Sequence, residues 1–214
     1  MLNLPPAESL SGQFARAKPY PHLVLPGALR GVTALNDEWP VSGWKTYQGL
    51  KRSIQRQADM GPTARRVAKT LVSQGFVAWL SEVTGIPRLL ADESMAGGGL
   101  HETMEGGQLK MHVDFSELSQ SRYRRLNVIL FCCQNVATLK NAALTLAANP
   151  DTMQGETAIQ PHPGTMVVME SSNRSWHGHP YPLVGGSRRS IASYYYTVDM
   201  PPDYDGKHST IYAK

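Results

Sequence analysis

His112 and Asp114 stand two residues apart in Met111-His112-Val113-Asp114-Phe115, and Trp176-His177-Gly178-His179-Pro180 follows far downstream. Arg188 and Ser190 come next, in Arg188-Arg189-Ser190. Two imidazoles and one carboxylate are the donors of a mononuclear non-haem iron site, which keeps three octahedral positions open. Iron(II) suits this mixture and does redox chemistry that zinc cannot. An arginine beside a serine offers a place for an acidic cosubstrate. The chemistry these residues point to is activation of dioxygen.

Such a site makes demands on local structure. On an extended strand, residues two apart share a face. His112 and Asp114 then look together into the interior of a barrel, and Arg188 and Ser190 do the same. A guanidinium fork with a hydroxyl beside it clamps a buried carboxylate and keeps its charge. Arg189 points the other way, toward solvent. His177 and His179 compete for the third ligand position, because Gly178 and Pro180 break the strand's regularity. His177 is taken as the ligand, with His179 near the site. His22, His162 and His208 take surface or core roles, since a lone buried histidine is commonly a hydrogen-bonded core residue. An HxD pair alone is a weak signal. The order HxD, histidine before glycine, then RxS opening a final strand is a stronger one.

The elements that must position these residues follow from the apolar pattern. Pro19 to Pro26 is expected to form a short strand. Residues 27–61 are mixed, with turns at Asn36-Asp37 and Gly43. Pro62 opens a helix in which Val67, Leu71, Phe76, Leu80 and Val83 recur near helical spacing, ended by Gly85 and Pro87. That helix is expected to pack outside a sheet. After Gly97-Gly98-Gly99 the texture turns to strands. Leu100–Met104 and Gln108–Asp114 flank Glu105-Gly106-Gly107, a hairpin signal. Leu126–Cys133 suits a strand buried on both faces. Ala142–Ala148 is a weaker strand or a short helix. Thr165–Met169, Ser175–His179 and Arg189–Val198 complete the set. The first 18 residues are expected to be loosely packed and the tail from Pro201 peripheral, with 207–214 mobile.

The 214 residues fit one domain with a full core. The expected division is 1–94 for an N-terminal strand and supporting helices, 95–198 for the barrel core with the metal and cosubstrate sites, and 199–214 for the tail. The fold class is mainly β with flanking helices, a jelly-roll barrel. Hydrophobic residues at 41% and charged residues at 18% describe an ordinary globular chain. The net charge of +4 is spread over short clusters at Arg65-Arg66, Arg122–Arg125 and Arg188-Arg189. No basic run points to nucleic acid, although a basic rim could attract an acidic ligand. Cys132 and Cys133 are adjacent and poorly placed for a disulfide, so a reducing cytoplasm is expected. MLNLPPAESLSGQFARAK lacks the continuous apolar core of a signal peptide, and no apolar run reaches membrane-span length. Nothing in the sequence sets an oligomeric state.

GGGLHETMEGGQLKMHVDF, RRLNVILF, WHGHPYPL and RRSIASYYYT together resemble the prolyl 4-hydroxylase-type branch of the iron(II)/2-oxoglutarate-dependent oxygenases. The likeness spans roughly residues 95 to 198, with a weaker PYPHLVLPGAL element before it. It implies a double-stranded β-helix in which His112, Asp114 and His177 bind iron(II). It also implies that Arg188, helped by Ser190, holds the distal carboxylate of 2-oxoglutarate, with His101, Asn127 and Phe131 lining the same pocket. The implied activity consumes dioxygen, with ascorbate as accessory reductant, and hydroxylates a C–H bond while releasing succinate and carbon dioxide. Family halogenases have a small residue where Asp114 stands, so hydroxylation is the default.

Two features depart from the relatives' pattern. Leu139-Lys140-Asn141-Ala142-Ala143-Leu144 stands where relatives usually carry a Gly-Gly element, and Arg188 replaces the lysine of collagen-type enzymes. Their substrates are therefore not carried over. With so little chain outside the barrel, an amino acid, small metabolite or short peptide is the expected substrate, facing segments 115–125 and 136–157. The competing classes are a cupin-like metal-binding module and a zinc isomerase or hydrolase.

Overall fold

The computed structural model describes residues 1–47, 49–118, 122–153 and 155–213. Four helices lie in the N-terminal part: α1 (Ser11–Arg16), α2 (Val32–Asp37), α3 (Pro62–Leu71) and α4 (Gln74–Thr84). Interleaved with them are β1 (His22–Leu25), β2 (Lys45–Tyr47), β3 (Lys51–Ile54) and β4 (Leu90–Ala91). The barrel continues through β5 (Gly99–Thr103), β6 (Leu109–Val113), β7 (Glu117–Leu118) and β8 (Arg122–Phe131). It closes with β9 (Leu144–Ala147), β10 (Thr157–Ile159), β11 (Met166–Glu170), β12 (Trp176–His179), β13 (Arg188–Thr197) and β14 (Ile211–Tyr212).

Two antiparallel sheets face one another. Among the described residues the larger runs β1-β11-β8-β13-β5-β3-β2, with β4 against β13 and β7 against β8. The smaller runs β10-β9-β12-β6-β14. This is the double-stranded β-helix, mainly β with flanking helices.

β8 shows why the layers form. Leu126, Val128 and Leu130 belong to one core cluster, shared with Val67, Leu71, Phe76 and Leu80 of the helices. Ile129 and Phe131 belong to a second cluster inside the barrel, with Leu144, Leu146 and Ile159 of the smaller sheet. One strand with a period of two thus feeds two cores, and LNVILF is apolar except for Asn127 because both of its faces are covered. The helices lie outside the larger sheet, as expected: Tyr195 Oη donates to the Leu71 carbonyl at 2.8 Å, and its ring lies 6.0 Å from that of Phe76. Gly98 and Gly99 let β5 pass close to its neighbours, since a Cβ there would fall 2.6 Å from the Ala192 carbonyl oxygen and 2.2 Å from that of Ile54.

Four expectations need correction. The helix after Pro62 is two helices, because Ser73 takes extended dihedrals and caps α4, its Oγ accepting from Phe76 N at 3.3 Å. Asn36-Asp37 is the end of α2. Glu105-Gly106-Gly107 does not make a hairpin: β5 pairs with β3 and β13, while β6 pairs with β12 and β14. This turn carries the chain from one sheet to the other, tied down by Gly106 N to Leu183 O at 2.7 Å and Leu183 N to Gly107 O at 2.9 Å. The first 18 residues are packed, with Ala7, Leu10 and Phe14 buried in the helix-side core. The tail is peripheral, and β14 adds an exposed edge strand to β6 in the register Ile211 to Val113 and Tyr212 to His112. Lys214 lies outside the described residues.

Candidate metal centre

β6 and β12 are antiparallel neighbours, and His112 and His177 are directly opposed. Their ring centroids are 4.3 Å apart. Asp114 follows β6 and turns its carboxylate toward both. Its Oδ1 lies 3.7 Å from His112 Nε2, and its Oδ2 lies 3.6 Å from His177 Nε2. Donor atoms of all three residues fall within 4.8 Å of one another.

Both imidazoles are held in the orientation a metal needs. His112 Nδ1 is 2.9 Å from the Lys110 carbonyl oxygen, and His177 Nδ1 is 2.9 Å from that of Ser175. A carbonyl can only accept, so each Nδ1 carries the proton and each Nε2 offers its lone pair to the centre. Burial, together with the neighbouring His177, pulls His112 down to about 3, which keeps it neutral. Burial pushes Asp114 up. Arg124, then His177, His112 and Lys51, outweigh that effect and hold it at about 2, ionised.

Arg124 is the strongest of those partners. Its guanidinium is wedged between two rings, 3.4 Å from the Phe115 centroid and 3.5 Å from that of Tyr194. Its Nη1 lies 3.3 Å from Asp114 Oδ2. Asn127 Nδ2 donates to the same oxygen at 3.3 Å.

His179 stands apart from this cluster. The β12–β6 register shifts after His177, so that His179 opposes Leu109. Gly178 permits the shift, because a Cβ there would sit 2.7 Å from the Leu109 carbonyl oxygen. His179 Nε2 is 3.3 Å from Thr103 Oγ1, and its Nδ1 is buried without a partner.

Beside the triad, an inner cavity is lined by Arg188, Ser190, His101, Asn127, Ile129 and Leu144, among others. Arg188 is buried; its Nε donates to the Ala142 carbonyl at 2.9 Å, and no carboxylate among the described residues stabilises its charge. Its guanidinium carbon lies 4.9 Å from the Phe131 ring centroid. His101 Nδ1 meets Tyr47 Oη at 2.8 Å, while His101 Nε2 and Asn127 Oδ1 are buried without partners. Unpaired buried polar atoms are costly, and here they ring a space beside a triad of metal-type donors. The donor set and the partnerless arginine together fit a divalent metal and an acidic ligand.

Residues 98–196 match the sequence profile of the 2OG-Fe(II) oxygenase superfamily. Residues 98–196 belong to that superfamily. No curated protein sequence matches the chain. Solved structures resemble this oxygenase fold at low identity. A prolyl-4-hydroxylase from Pseudomonas putida superposes with a TM-score of 0.61 at 12% identity, covering 89% of this chain and 98% of that one. A prolyl hydroxylase from Trichoplax adhaerens, solved with a hypoxia inducible factor oxygen degradation domain peptide, gives 0.61 at 12% identity, covering 88% of each chain. HygX from Streptomyces hygroscopicus, solved with nickel, 2-oxoglutarate and hygromycin B, gives 0.59 at 12% identity, covering 82% of each chain.

The oxygenase domain brings together most of the residues singled out from the sequence. His112, Asp114 and His177 converge, and Arg188, Ser190, His101 and Asn127 face one cavity. Phe131 does not line that cavity but lies beneath the Arg188 guanidinium. Arg189 does turn to the opposite face. It does not reach for solvent there, because its Nε donates to buried Glu102 at 2.8 Å and its Nη1 to Asn36 at 2.9 Å.

Of the segments expected to face substrate, residues 119–121 and 154 lie outside the described residues. An outer cavity of about 420 Å³ over the triad is walled by Tyr47, Lys51, Phe115, Arg124, Tyr194 and Tyr212, among others. No described residue of 136–157 lines it. Tyr194 was within reach of strand parity, standing four residues beyond Ser190. Tyr47 and Lys51 were missed because β2 and β3 are too short to stand out in a mixed stretch.

Proposed function

We propose that this chain is an iron(II)- and 2-oxoglutarate-dependent dioxygenase that hydroxylates a C–H bond of an amino acid, small metabolite or peptide. The observation that carries the proposal is one juxtaposition: a pre-oriented two-histidine, one-aspartate triad beside a buried arginine that has no carboxylate of its own among the described residues. Iron(II) and 2-oxoglutarate, when bound, supply dioxygen activation with release of succinate and carbon dioxide. His112 Nε2, His177 Nε2 and a carboxylate oxygen of Asp114 would hold the metal. Arg188 would pair with the distal carboxylate of 2-oxoglutarate, with Ser190 as a further donor. His101 would offer its unpaired Nε2 to the same ligand, while Asn127 lines the cavity and donates its Nδ2 to Asp114. Asp114 occupies a position that halogenation would need vacant, which favours hydroxylation.

The chain is read as one domain, with 1–94 buttressing, 95–198 carrying the site and 199–214 closing an edge. The buried free thiols of Cys132 and Cys133 accord with a reducing cytoplasm. No helix among the described residues is long and apolar enough to cross a membrane.

The test is turnover of 2-oxoglutarate by purified protein with iron(II), ascorbate and dioxygen. Succinate should form, and His112→Ala and Asp114→Ala should each abolish it. Retained turnover in either variant overturns the assignment. Tightly bound zinc with no affinity for 2-oxoglutarate would favour a zinc isomerase or hydrolase.

A further inference from the structure

A second basic side chain faces the same interior as Arg188. In the larger sheet Lys51 is registered against Thr103, and Thr103 against Arg188. On the other side Lys51 is registered against Tyr47. Directly opposed residues share a face, so Tyr47, Lys51, Thr103 and Arg188 form one transverse row turned into the barrel. At about 4.8 Å per strand spacing, the Lys51 and Arg188 backbones stand roughly 10 Å apart along it. The Lys51 ammonium lies 5.2 Å from the Tyr47 ring centroid, and no salt bridge to a carboxylate is formed by Lys51 among the described residues.

Lys51 lines both cavities, standing where the inner one meets the outer one. The outer cavity, about 420 Å³, is of a size that takes a small organic molecule. Tyr47, Phe115, Tyr194 and Tyr212 give it aromatic walls. Lys45 adds a further basic group to Lys51, and Asp114 is the one acid among the described residues of its lining. Asp114 is already engaged by Arg124 and by the triad. On the reading under Proposed function, on which this inference rests, both ends of 2-oxoglutarate have takers: the metal at one end, Arg188 and Ser190 at the other. Burial, then the nearby Arg188, pulls the Lys51 amine down to about 7, and a carboxylate bound against it would restore its full charge, so Lys51 is a basic group beyond what the cosubstrate needs.

We propose that Lys51 binds a carboxylate of the primary substrate, which is a small organic acid with an aromatic or apolar body seated among Tyr47, Phe115, Tyr194 and Tyr212. The acid anchors one end of the molecule at the junction of the cavities, and the body lies over the triad.

The test uses zinc-loaded protein, which cannot turn over, saturated with 2-oxoglutarate. Calorimetry or ligand-observed NMR follows phenylacetate, 3-phenylpropionate and N-acetylphenylalanine, each beside its primary amide, with phenyl phosphate as a separate arm. The acids should bind at least about 10-fold more tightly than the amides. Lys51→Met should erase that preference, and Lys51→Arg should keep part of it. The 2-oxoglutarate affinity of Lys51→Met, expected within about twofold of wild type, also reports that the variant is folded. Absence of acid-over-amide preference overturns the proposal, as does binding of phenyl phosphate alone. An equal loss of 2-oxoglutarate affinity in Lys51→Met overturns it too, by assigning Lys51 to the cosubstrate. Failure of wild-type protein to bind 2-oxoglutarate at all would instead sink the oxygenase reading.

Discussion

Arg124 Nη1 lies 3.3 Å from Asp114 Oδ2, with the guanidinium held between Phe115 and Tyr194. Removing one member of a buried ion pair strands the other, at a cost of about 3–5 kcal/mol. Arg124→Ala should therefore lower the melting temperature of the metal-free protein. A bound divalent ion replaces part of the lost positive charge, so manganese should raise the melting temperature more in the variant than in wild type. Equal gains would show that Arg124 does not act on Asp114.

His177 and His179 share a strand, but only His177 joins the triad. His177→Ala should lose stoichiometric metal, measured by elemental analysis after dialysis, whereas His179→Ala should retain it. Metal loss in His179→Ala with retention in His177→Ala would exchange their roles.

Arg188 is buried and has no carboxylate partner among the described residues. A charge-assisted hydrogen bond contributes about 1.5–3 kcal/mol, so Arg188→Gln should weaken 2-oxoglutarate binding by roughly 10- to 100-fold. Arg188→Lys should lose less, because it keeps the charge while giving up the fork. Titration of the zinc-loaded variants with 2-oxoglutarate checks both.

Glu102 supplies a pH dependence away from the metal centre. Burial pushes its carboxyl up, but hydrogen bonds from Arg189, Arg52 and Ser187 outweigh that and hold it below its ordinary value of 4.5. A carboxyl depressed in the folded state adds stability above its unfolded value and loses it as pH falls through the folded one. Thermal melts should show stability dropping as pH falls below about 4.5. Glu102→Gln should melt lower at neutral pH, with Arg52 and Arg189 left unpaired, and should lose less on acidification.

β14 is short and half exposed, yet Ala213 N donates to the Met111 carbonyl at 2.8 Å and the Tyr212 ring lies 5.5 Å from that of His112. Hydrogen exchange should find the Ala213 amide protected beyond its unstructured rate. Cutting the chain before Thr210 should speed exchange along β6, whose edge would then be open.

Much of the site was legible because strand parity is local. Arg188, Ser190 and Tyr194 keep one face, and Leu126, Val128 and Leu130 keep another, as a period of two requires. Parity failed at Arg124. Tyr195 opposes Leu126 but Tyr196 opposes Arg124, so Arg125 is an extra residue in β8. That bulge turns Arg124 into the barrel with Tyr196, although plain alternation from Leu126 would send it to the helices. The supposed hairpin failed for a related reason. Gly-Gly favours a turn, but which strand β5 pairs with depends on β3 and β13.

The sequence by itself determined the donors, their order along the chain, and which of them share a face of the same strand. These follow from residue chemistry and an alternation that acts over two residues. Only the tertiary structure decided that His177 opposes His112, that Arg124 reaches Asp114, that Lys51 stands in the row of Arg188, and that Tyr212 lies over His112. Each depends on register between strands far apart in the chain, set by backbone hydrogen bonds and by a bulge or a glycine shift at one position. A shift of one residue in any of them would turn the side chain to the other face of its sheet.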